Sequence, residues 1–382
     1  MSRVWVEIDC RKWAANFKTL VTVAAPAMVV PVLKSDGYGL GAIVAAKVFQ
    51  SMGAKRVAVA TVGEARPLND LNLEIQFLGA PEPEEIPAVA DMNWIGSVTD
   101  VGTARRFSQA AADRERPVRV HILVDTGMGR LGLLVDEALN RVLQIAALPF
   151  ITVEGLYSHF PLAEEPDAQA AAQIAAMRKL VQAVREKGVP VKYVHMANSY
   201  AVTRLRESRS GIFNMVRPGI ELHGAGDALP SEQRLAVEPV MTLKAKLLAV
   251  RQLPAGATVG YGRTYTLKNP GRIGTVAIGY ADGYPRRLSN RGAVLIHGHR
   301  CPVVGSVCMD YIQVELGNAP EAVPGDEVVL IGRDGNQEIT LQEVARAAGT
   351  ISYEILTRLG SRIERRYLHS GGDDLCAPAT PA

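Results

Sequence analysis

One pattern constrains this chain more than any other. From about residue 28 to residue 217, short β-branched runs alternate with alanine-rich amphipathic stretches. Candidate strands fall at 28–33, 57–61, 75–78, 94–97, 118–124, 152–157, 191–195 and 213–217. The clearest helices fall at 40–51, 99–112, 135–147 and 167–187, the last stopped by Gly188. This is the pattern of βα units, and eight in series predict an α/β fold of the (β/α)8 TIM-like barrel kind.

Near residue 232 the pattern changes. The run at 241–247 (MTLKAKL) alternates apolar and polar with period two, and runs at 274–278, 293–297, 311–316 and 327–332 follow between Gly and Pro turns. One helix is evident there, opening with the capping-box pattern Thr340-Leu341-Gln342-Glu343. The expected organisation is a barrel over 10–232 and a C-terminal mostly-β domain over 233–370, joined by a strand within 1–9, with a disordered tail at 371–382.

Composition narrows the class. Residues of the AVILMFWYC set make up 48% of the 382 and charged residues 21%, which excludes a disordered chain. Forty-two Lys+Arg against 39 Asp+Glu leave no electrostatic footprint for nucleic acid or a polybasic membrane contact. Glu7 and Asp9 stand where a signal peptide needs an apolar core. No apolar run approaches the roughly 18 residues of a membrane helix. Cys10, Cys301, Cys308 and Cys376 are too few and scattered for a disulfide framework or zinc site and read as reduced thiols. The expectation is a cytoplasmic enzyme with no nucleic-acid or membrane partner.

In a barrel, catalytic residues lie just past the C-terminal ends of the strands. Those positions hold Lys34, the segment Asp125–Arg130, Ser158-His159, Asn198-Ser199 and Arg217-Pro218-Gly219-Ile220, a set suited to an anionic, phosphate-bearing ligand. Lys34 follows the apolar run VVPVL; partial desolvation favours a neutral amine, which can form a Schiff base, although a lysine can also snorkel out of a strand end. Ser199 and Gly219-Ile220 fall where barrels bind phosphate, though Gly219 alone also reads as a plain turn. His159 alone reads equally as structural or catalytic. Gly37–Ala42 reads G-x-G-x-x-A with Glu64 downstream, a weak dinucleotide signal that eight junctions in series argue against. His297 and His299 lack a third ligand for a metal. In the β domain, Gly260-Tyr261-Gly262 and Tyr280, Tyr284 and Tyr353 are either exposed loop tips or positioned hydroxyls.

Taken together, the segments WVEID, VLKSDGYGLG, DTGMGRLG, LYSHF, ANS, RPGI, GYGRTY, IGYADGYPR, VCMD, TISYEI and RRY, in this order, resemble the fold-type III, pyridoxal-phosphate-dependent alanine racemase family. The resemblance covers essentially the whole chain. It implies that Lys34 holds pyridoxal 5'-phosphate and acts as acid or base on one face of the substrate α-carbon. Tyr261 would be the opposite base, supplied by the other subunit of a homodimer with shared sites, with His159 tuning it. Arg217 would hydrogen-bond the pyridine nitrogen and Arg130 the phenolic oxygen and the substrate carboxylate. Tyr38, Ser199, Gly219, Ile220 and Tyr353 would hold the phosphate, with Asn198 beside them. Met309 would bind the substrate carboxylate through its backbone, Asp310 would order that loop, and Tyr284 and Ile351 would line the access passage. The implied reaction interconverts L- and D-alanine, a small amino-acid substrate, and feeds peptidoglycan synthesis for the cell wall.

Three residues depart from the family pattern. Leu123 stands where many members have a carbamylated lysine that supports the equivalent of Arg130. His223 replaces a tyrosine in the L-Y-G turn, and Ser306 replaces an access-passage arginine. The last change leaves serine or broader specificity open. Of the competing readings, a non-catalytic pyridoxal-phosphate barrel protein resembles only the barrel part of the chain, and a decarboxylase of the same fold type uses an acid where Arg217 stands.

Overall fold

Eight parallel strands close into a barrel only if each finds two neighbours and the last returns to the first. In the computed structural model, which describes residues 2–162, 168–226 and 235–368, they do. After β1 (Val4–Asp9) and the helix Cys10–Ala24 come β2 (Met28–Val29), β3 (Arg56–Val59), β4 (Glu74–Phe77), β5 (Gly96–Val98) and β6 (Val118–Asp125). A short β7 (Leu133–Leu134) pairs with β6, and β8 (Ile151–Tyr157), β9 (Tyr193–His195) and β10 (Met215–Val216) complete the set. Parallel ladders join β3 to β4, run through β5–β6–β8–β9, and pair β10 with β2. Bridges Val32–Ala58 and Gln76–Ile95 fill two gaps. Hydrogen bonds from Asn214 N to Val194 O (3.2 Å) and Arg217 N to Ala197 O (2.9 Å) fill the third.

Several strands are shorter than their apolar runs, and proline is one reason. Pro31 has no N–H and interrupts the ladder, and it joins the next strand through its carbonyl, which accepts from Ala58 N at 2.8 Å. Pro218 follows the last run in the same way. Side chains cap some of the helices: Asp100 accepts from Thr103 N (2.8 Å) ahead of Val101–Ala112. The long helix is Ala168–Glu186, so residue 167 of the expected span lies outside the described residues. Among the described residues no helix is long and apolar enough to cross a membrane.

The strands do not bury apolar side chains on both faces. Arg56, Gln76, His121, Glu154 and His195 are all buried and hydrogen-bonded to one another, so they fill the barrel interior. Their neighbours Val57, Val59, Ile75, Phe77, Val120 and Ile122 alternate with them and are also buried.

The chain forms two compact units. The barrel unit takes its described residues from 13–37 and 41–237, and the β unit from 2–12, 38–40 and 238–368. The expected boundary at 232 and the tail at 371–382 lie outside the described residues. In the β unit, β11 (Met241–Leu253) pairs antiparallel with β1, which pairs parallel with β20 (Glu364–Leu368). The strands β12 (Thr258–Val259) and β13 (Tyr265–Thr266) form a separate pair. The main sheet continues from β11 through β14 (Gly271–Val276), β17 (Ile312–Glu315), β16 (His299–Val304), β15 (Ala293–Ile296), β18 (Glu327–Asp334) and β19 (Gln337–Ile339). β18 pairs back onto β11, which curls the sheet on itself. Thr340 caps Leu341–Ala348 as its sequence predicts, accepting from Glu343 N at 3.0 Å. A second helix, Ser352–Thr357, was not expected, because six residues are too few for helical periodicity to register.

One close approach in the β unit carries a prediction. A Cβ on Gly279 would sit 2.2 Å from Met309 O and 2.4 Å from Cys308 O. Both neighbours are backbone and cannot swing aside. Gly279→Ala is expected to cost about 2–3 kcal/mol of stability in denaturant titration; an unchanged midpoint would contradict the contact.

Candidate active site

Leu33 N donates to Ala58 O (2.8 Å), so Lys34 leaves the barrel from a fixed point. The chain then turns left-handed: Ser35, Asp36, Gly37 and Tyr38 have φ of 54°, 51°, 62° and 60°. Each non-glycine residue there costs about 1–2 kcal/mol. Hydrogen bonds hold the strain: Gly37 N to Leu33 O and Gly41 N to Asp36 O, both 2.8 Å. Asp36 Oδ1 accepts from Ala42 N at 2.8 Å, and Glu64 Oε1 accepts from Ser35 N at 2.7 Å. The other Glu64 oxygen accepts from Ala60 N (2.8 Å), and Glu64 completes a capping box with Thr61. Glu64 is therefore a clamp between the loops that follow β2 and β3. The glycines of the G-x-G-x-x-A run serve this turn and the barrel it leaves, not a dinucleotide fold.

Arg217 is buried at the end of β10. Its guanidinium donates to Ser158 O (2.8 Å), Met196 O (3.3 Å) and His195 Nδ1, and lies over the Tyr157 ring. Burial lowers its pKa to about 10, so it stays a cation. His159 Nδ1 stands 3.5 Å from the same guanidinium. A guanidinium only donates, so Nδ1 accepts and Nε2 carries the ring hydrogen. Burial, then the charges of Arg217, Arg130 and Lys34, push His159 down to about 3, which keeps it neutral. Lys34 is shifted in the same direction: crowding by the protein and the Arg130 charge lower its pKa, Glu64 opposes them, and Arg217 adds to the lowering.

The loops after β9 and β10 meet at Ser199. Its Oγ accepts from Gly219 N (2.9 Å) and Glu221 N (3.4 Å), which leaves the hydroxyl hydrogen free to donate. Gly219, expected to meet a phosphate through its amide, gives that hydrogen to Ser199 in this structure. Asn198 caps the helix Ser199–Arg204, accepting from Ala201 N at 3.0 Å, and so positions Ser199. Ile220 is buried beside it. His223 is structural: Trp13 Nε1 donates to its Nδ1 at 3.0 Å, tying the helix Cys10–Ala24 to this loop. A primary amine, a donor-only guanidinium, a neutral imidazole and a hydroxyl between the loops after β9 and β10 fit a small ligand carrying a carbonyl, a ring nitrogen and a phosphate.

Asp125 shapes the loop that carries Arg130, accepting from the amides of Gly127, Met128 and Gly129 at 2.8–2.9 Å. Those bonds hold its carboxyl below the usual range. Leu123 is buried on the interior face of β6, and among the described residues the exposed Arg130 side chain has no hydrogen-bond or ion-pair partner.

The remaining expected residues belong to the β unit. Tyr261 is 74% exposed on a turn whose carbonyl is held by Ser306 Oγ (2.8 Å). Ser306 is thus spent on supporting Tyr261. Met309 is exposed, and Arg362 bridges Asp310 and Asp282, both at 2.9 Å, to fix its loop. Tyr38 and Tyr353 have ring centroids 6.1 Å apart. Ile351 is exposed. Tyr284 is largely buried, its hydroxyl packed where a Cβ on Gly292 would be, and it lines one cavity together with Tyr280 and Arg358. The solvent-facing tyrosine of that segment is Tyr280.

Sequence reasoning passed over Glu64 as a clamp, and it missed the buried set of Arg56, Gln76, His121, Glu154 and His195. The available signal was a polar residue inside each β-branched run, as in VHILV and TVEGLY. The opposed charges around Lys34 give a sign-specific expectation. In the cofactor-free chain, Glu64→Gln lowers the Lys34 pKa further and Arg130→Ala raises it, read from the pH dependence of amine acylation at Lys34; shifts of the same sign would contradict the arrangement.

The chain matches two family descriptions in tandem: Alanine racemase, N-terminal domain, over residues 8–227, and Alanine racemase, C-terminal domain, over 240–367. It is 37% identical over 372 residues to the alanine racemase of Carboxydothermus hydrogenoformans, covering 96% of this chain and 100% of that one. Among solved structures it superposes on alanine racemase from Streptomyces coelicolor A3(2) with a TM-score of 0.89 at 34% identity, over 96% and 98% of the two chains. It also superposes on alanine racemase from Bartonella henselae with covalently bound pyridoxal phosphate, with a TM-score of 0.84 at 30% identity over 96% and 100%. With both halves matched in order and the barrel residues placed as described, the chain belongs to the alanine racemase family, whose members depend on pyridoxal phosphate.

Proposed function

We propose that this chain interconverts L- and D-alanine with pyridoxal 5'-phosphate, using two opposed acid–base groups. The observation that carries the reading is Lys34: an amine of lowered pKa at a barrel-strand end, in the same charge cluster as the carbonyl-anchored Arg217. When bound, the cofactor withdraws electrons from the substrate and makes its α-hydrogen acidic.

Racemisation needs the proton removed from one face and returned to the other. Lys34 would hold the cofactor through its amine and, with that amine freed when substrate binds, would serve one face; Tyr261 of the partner subunit would serve the opposite face. Arg217 would donate to the ring nitrogen and cannot accept a proton from it, which would keep that nitrogen unprotonated and the chemistry at the α-carbon. His159, with Nδ1 turned to Arg217, has its Nε2–H available for the Tyr261 oxygen, which favours the phenolate. Arg130 and the Met309 backbone meet the substrate carboxylate. Tyr38, Ser199, Gly219, Ile220 and Tyr353 would hold the phosphate, and Tyr284 with Ile351 would line the approach.

A homodimer with shared sites is supported by the large side chains the β unit leaves exposed: Tyr261, Tyr280, Met309 and Ile351. A cytoplasmic racemase of this kind supplies D-alanine for peptidoglycan. Ser306 favours a second reading at the level of substrate, since a short hydroxyl already bonded to Tyr261 O puts no charge there and leaves room for serine.

Purified protein incubated with cofactor and either alanine enantiomer in deuterium oxide tests the reading. α-Deuterium should enter both enantiomers, and Lys34→Ala should abolish this. Tyr261→Phe should slow exchange by about 10²–10⁴ on one enantiomer far more than on the other; equal losses would sink the two-base assignment. A rate panel over alanine, serine, lysine and arginine ranks the substrates. Mixing the two inactive variants should restore about a quarter of wild-type activity if subunits share sites, and no recovery among exchanging dimers would exclude sharing.

A further inference from the structure

Arg217 is the outer end of a chain of buried polar groups that runs into the barrel. Its guanidinium meets His195 Nδ1; His195 Nε2 lies 2.7 Å from His121 Nδ1; His121 Nε2 lies 2.9 Å from Glu154 Oε2. Both imidazoles are fully buried, and Glu154 and Arg217 nearly so.

The hydrogen positions follow from Arg217, from the neutrality of both rings and from the shortest contact at each nitrogen. A guanidinium only donates, so His195 Nδ1 accepts. Burial and the Arg217 charge hold His195 neutral, so its one hydrogen is on Nε2 and is given to His121 Nδ1. His121 is held neutral in turn, at about 4, so its hydrogen is on Nε2 and is given to the Glu154 carboxylate. All three bonds point the same way, from cation to anion, and each polarises the next.

The strands are built to allow this. The β6–β8 ladder shifts register between Val120 and His121: Val120 faces Val153 while His121 faces Gly155. The extra residue of this bulge is Glu154, which re-aims its side chain. A Cβ on Gly155 would lie 2.6 Å from His121 Nδ1, so only glycine leaves room for the imidazole. The His195 ring stacks on Tyr157 and that of His121 on Tyr193. The groups facing the relay are Arg56, Glu74, Gln76 and Arg119: Arg56 reaches Glu154 at 3.1 Å and Arg119 at 3.4 Å, and Gln76 Nε2 approaches His121 Nδ1 at 3.2 Å. Arg56 and Arg119 also bond Glu74, so the two arginines are anchored without drawing the relay apart. Arg56 also stands 3.4 Å from His121 Nε2, a competing approach longer than the carboxylate contact.

We infer that Glu154, acting through His121 and His195, is a positioning residue for Arg217: a one-way hydrogen-bond relay that brings a carboxylate's charge to a guanidinium no carboxylate touches. The inference rests on the reading of Arg217 as the partner of the cofactor's ring nitrogen. Glu154 fixes the direction in which Arg217 donates and the strength with which it does so. A network that merely fills the barrel would support folding but leave the bound cofactor's spectrum alone.

The experiment has two arms. In the first, ¹⁵N-histidine NMR of the wild-type chain, cofactor-free and loaded, should find both His121 and His195 neutral with the hydrogen on Nε2. A hydrogen on Nδ1 of either ring breaks the relay and overturns the inference, whatever the chain's activity. In the second, Glu154→Gln keeps the shape and removes the charge. Cofactor retention and KM for alanine should stay within about twofold while kcat falls about 10-fold and the cofactor's absorption band shifts, with Glu154→Asp recovering most of both. A Glu154→Gln enzyme with wild-type kcat and band overturns the inference. If Glu154→Gln does not fold, the wild-type tautomers decide. A wild-type chain that binds no pyridoxal phosphate would refute the functional reading, while the tautomers would still report on the relay.

Discussion

A guanidinium inside a barrel is the constraint around which the rest is arranged. Arg217 has left water, and an isolated charge in such a place is costly unless its hydrogens are all received. Two backbone carbonyls and two imidazoles receive hydrogens from it, and none of these carries a negative charge. The uncompensated field then acts on every titratable neighbour. It helps hold His159, His195 and His121 neutral and contributes to the depression of Lys34. One buried cation thus sets the protonation of several groups without bonding to all of them.

The β unit solves a different problem. Its loops present side chains outward on rigid backbone. Ser306 holds the carbonyl of Tyr261, Gly279 lets the Cys308–Met309 carbonyls approach closely, and Arg362 pins Asp310 to Asp282. An exposed tyrosine on such a support pays little ordering entropy when it is used. The left-handed turn from Ser35 to Tyr38 is the counterpart at Lys34: strain accepted so that a side chain leaves the strand in one direction only.

Much of this was legible in the residues. The eight βα junctions and the period-two runs after residue 240 announce their elements because apolar periodicity reflects burial directly. Lys34, Arg217 and Ser199 were placed by a rule about strand ends, and Tyr261 and Met309 by resemblance. What escaped depends on contacts between distant strands. Glu154, His121 and His195 are far apart in sequence, and a polar residue in a β-branched run gives no sign of which partner receives it. Tyr284 and Tyr280 look alike between glycines, and only packing against Gly292 separates the buried ring from the exposed one. Six-residue helices such as Ser352–Thr357 are too short to leave a periodic trace.

Leu123 has a consequence for Arg130. A carbamate forms only on an amine, and leucine has none. Position 123, on the interior face of β6, therefore cannot carry a carbamate. Any fixed negative charge that Arg130 meets must come from a ligand or a carboxylate and not from this position.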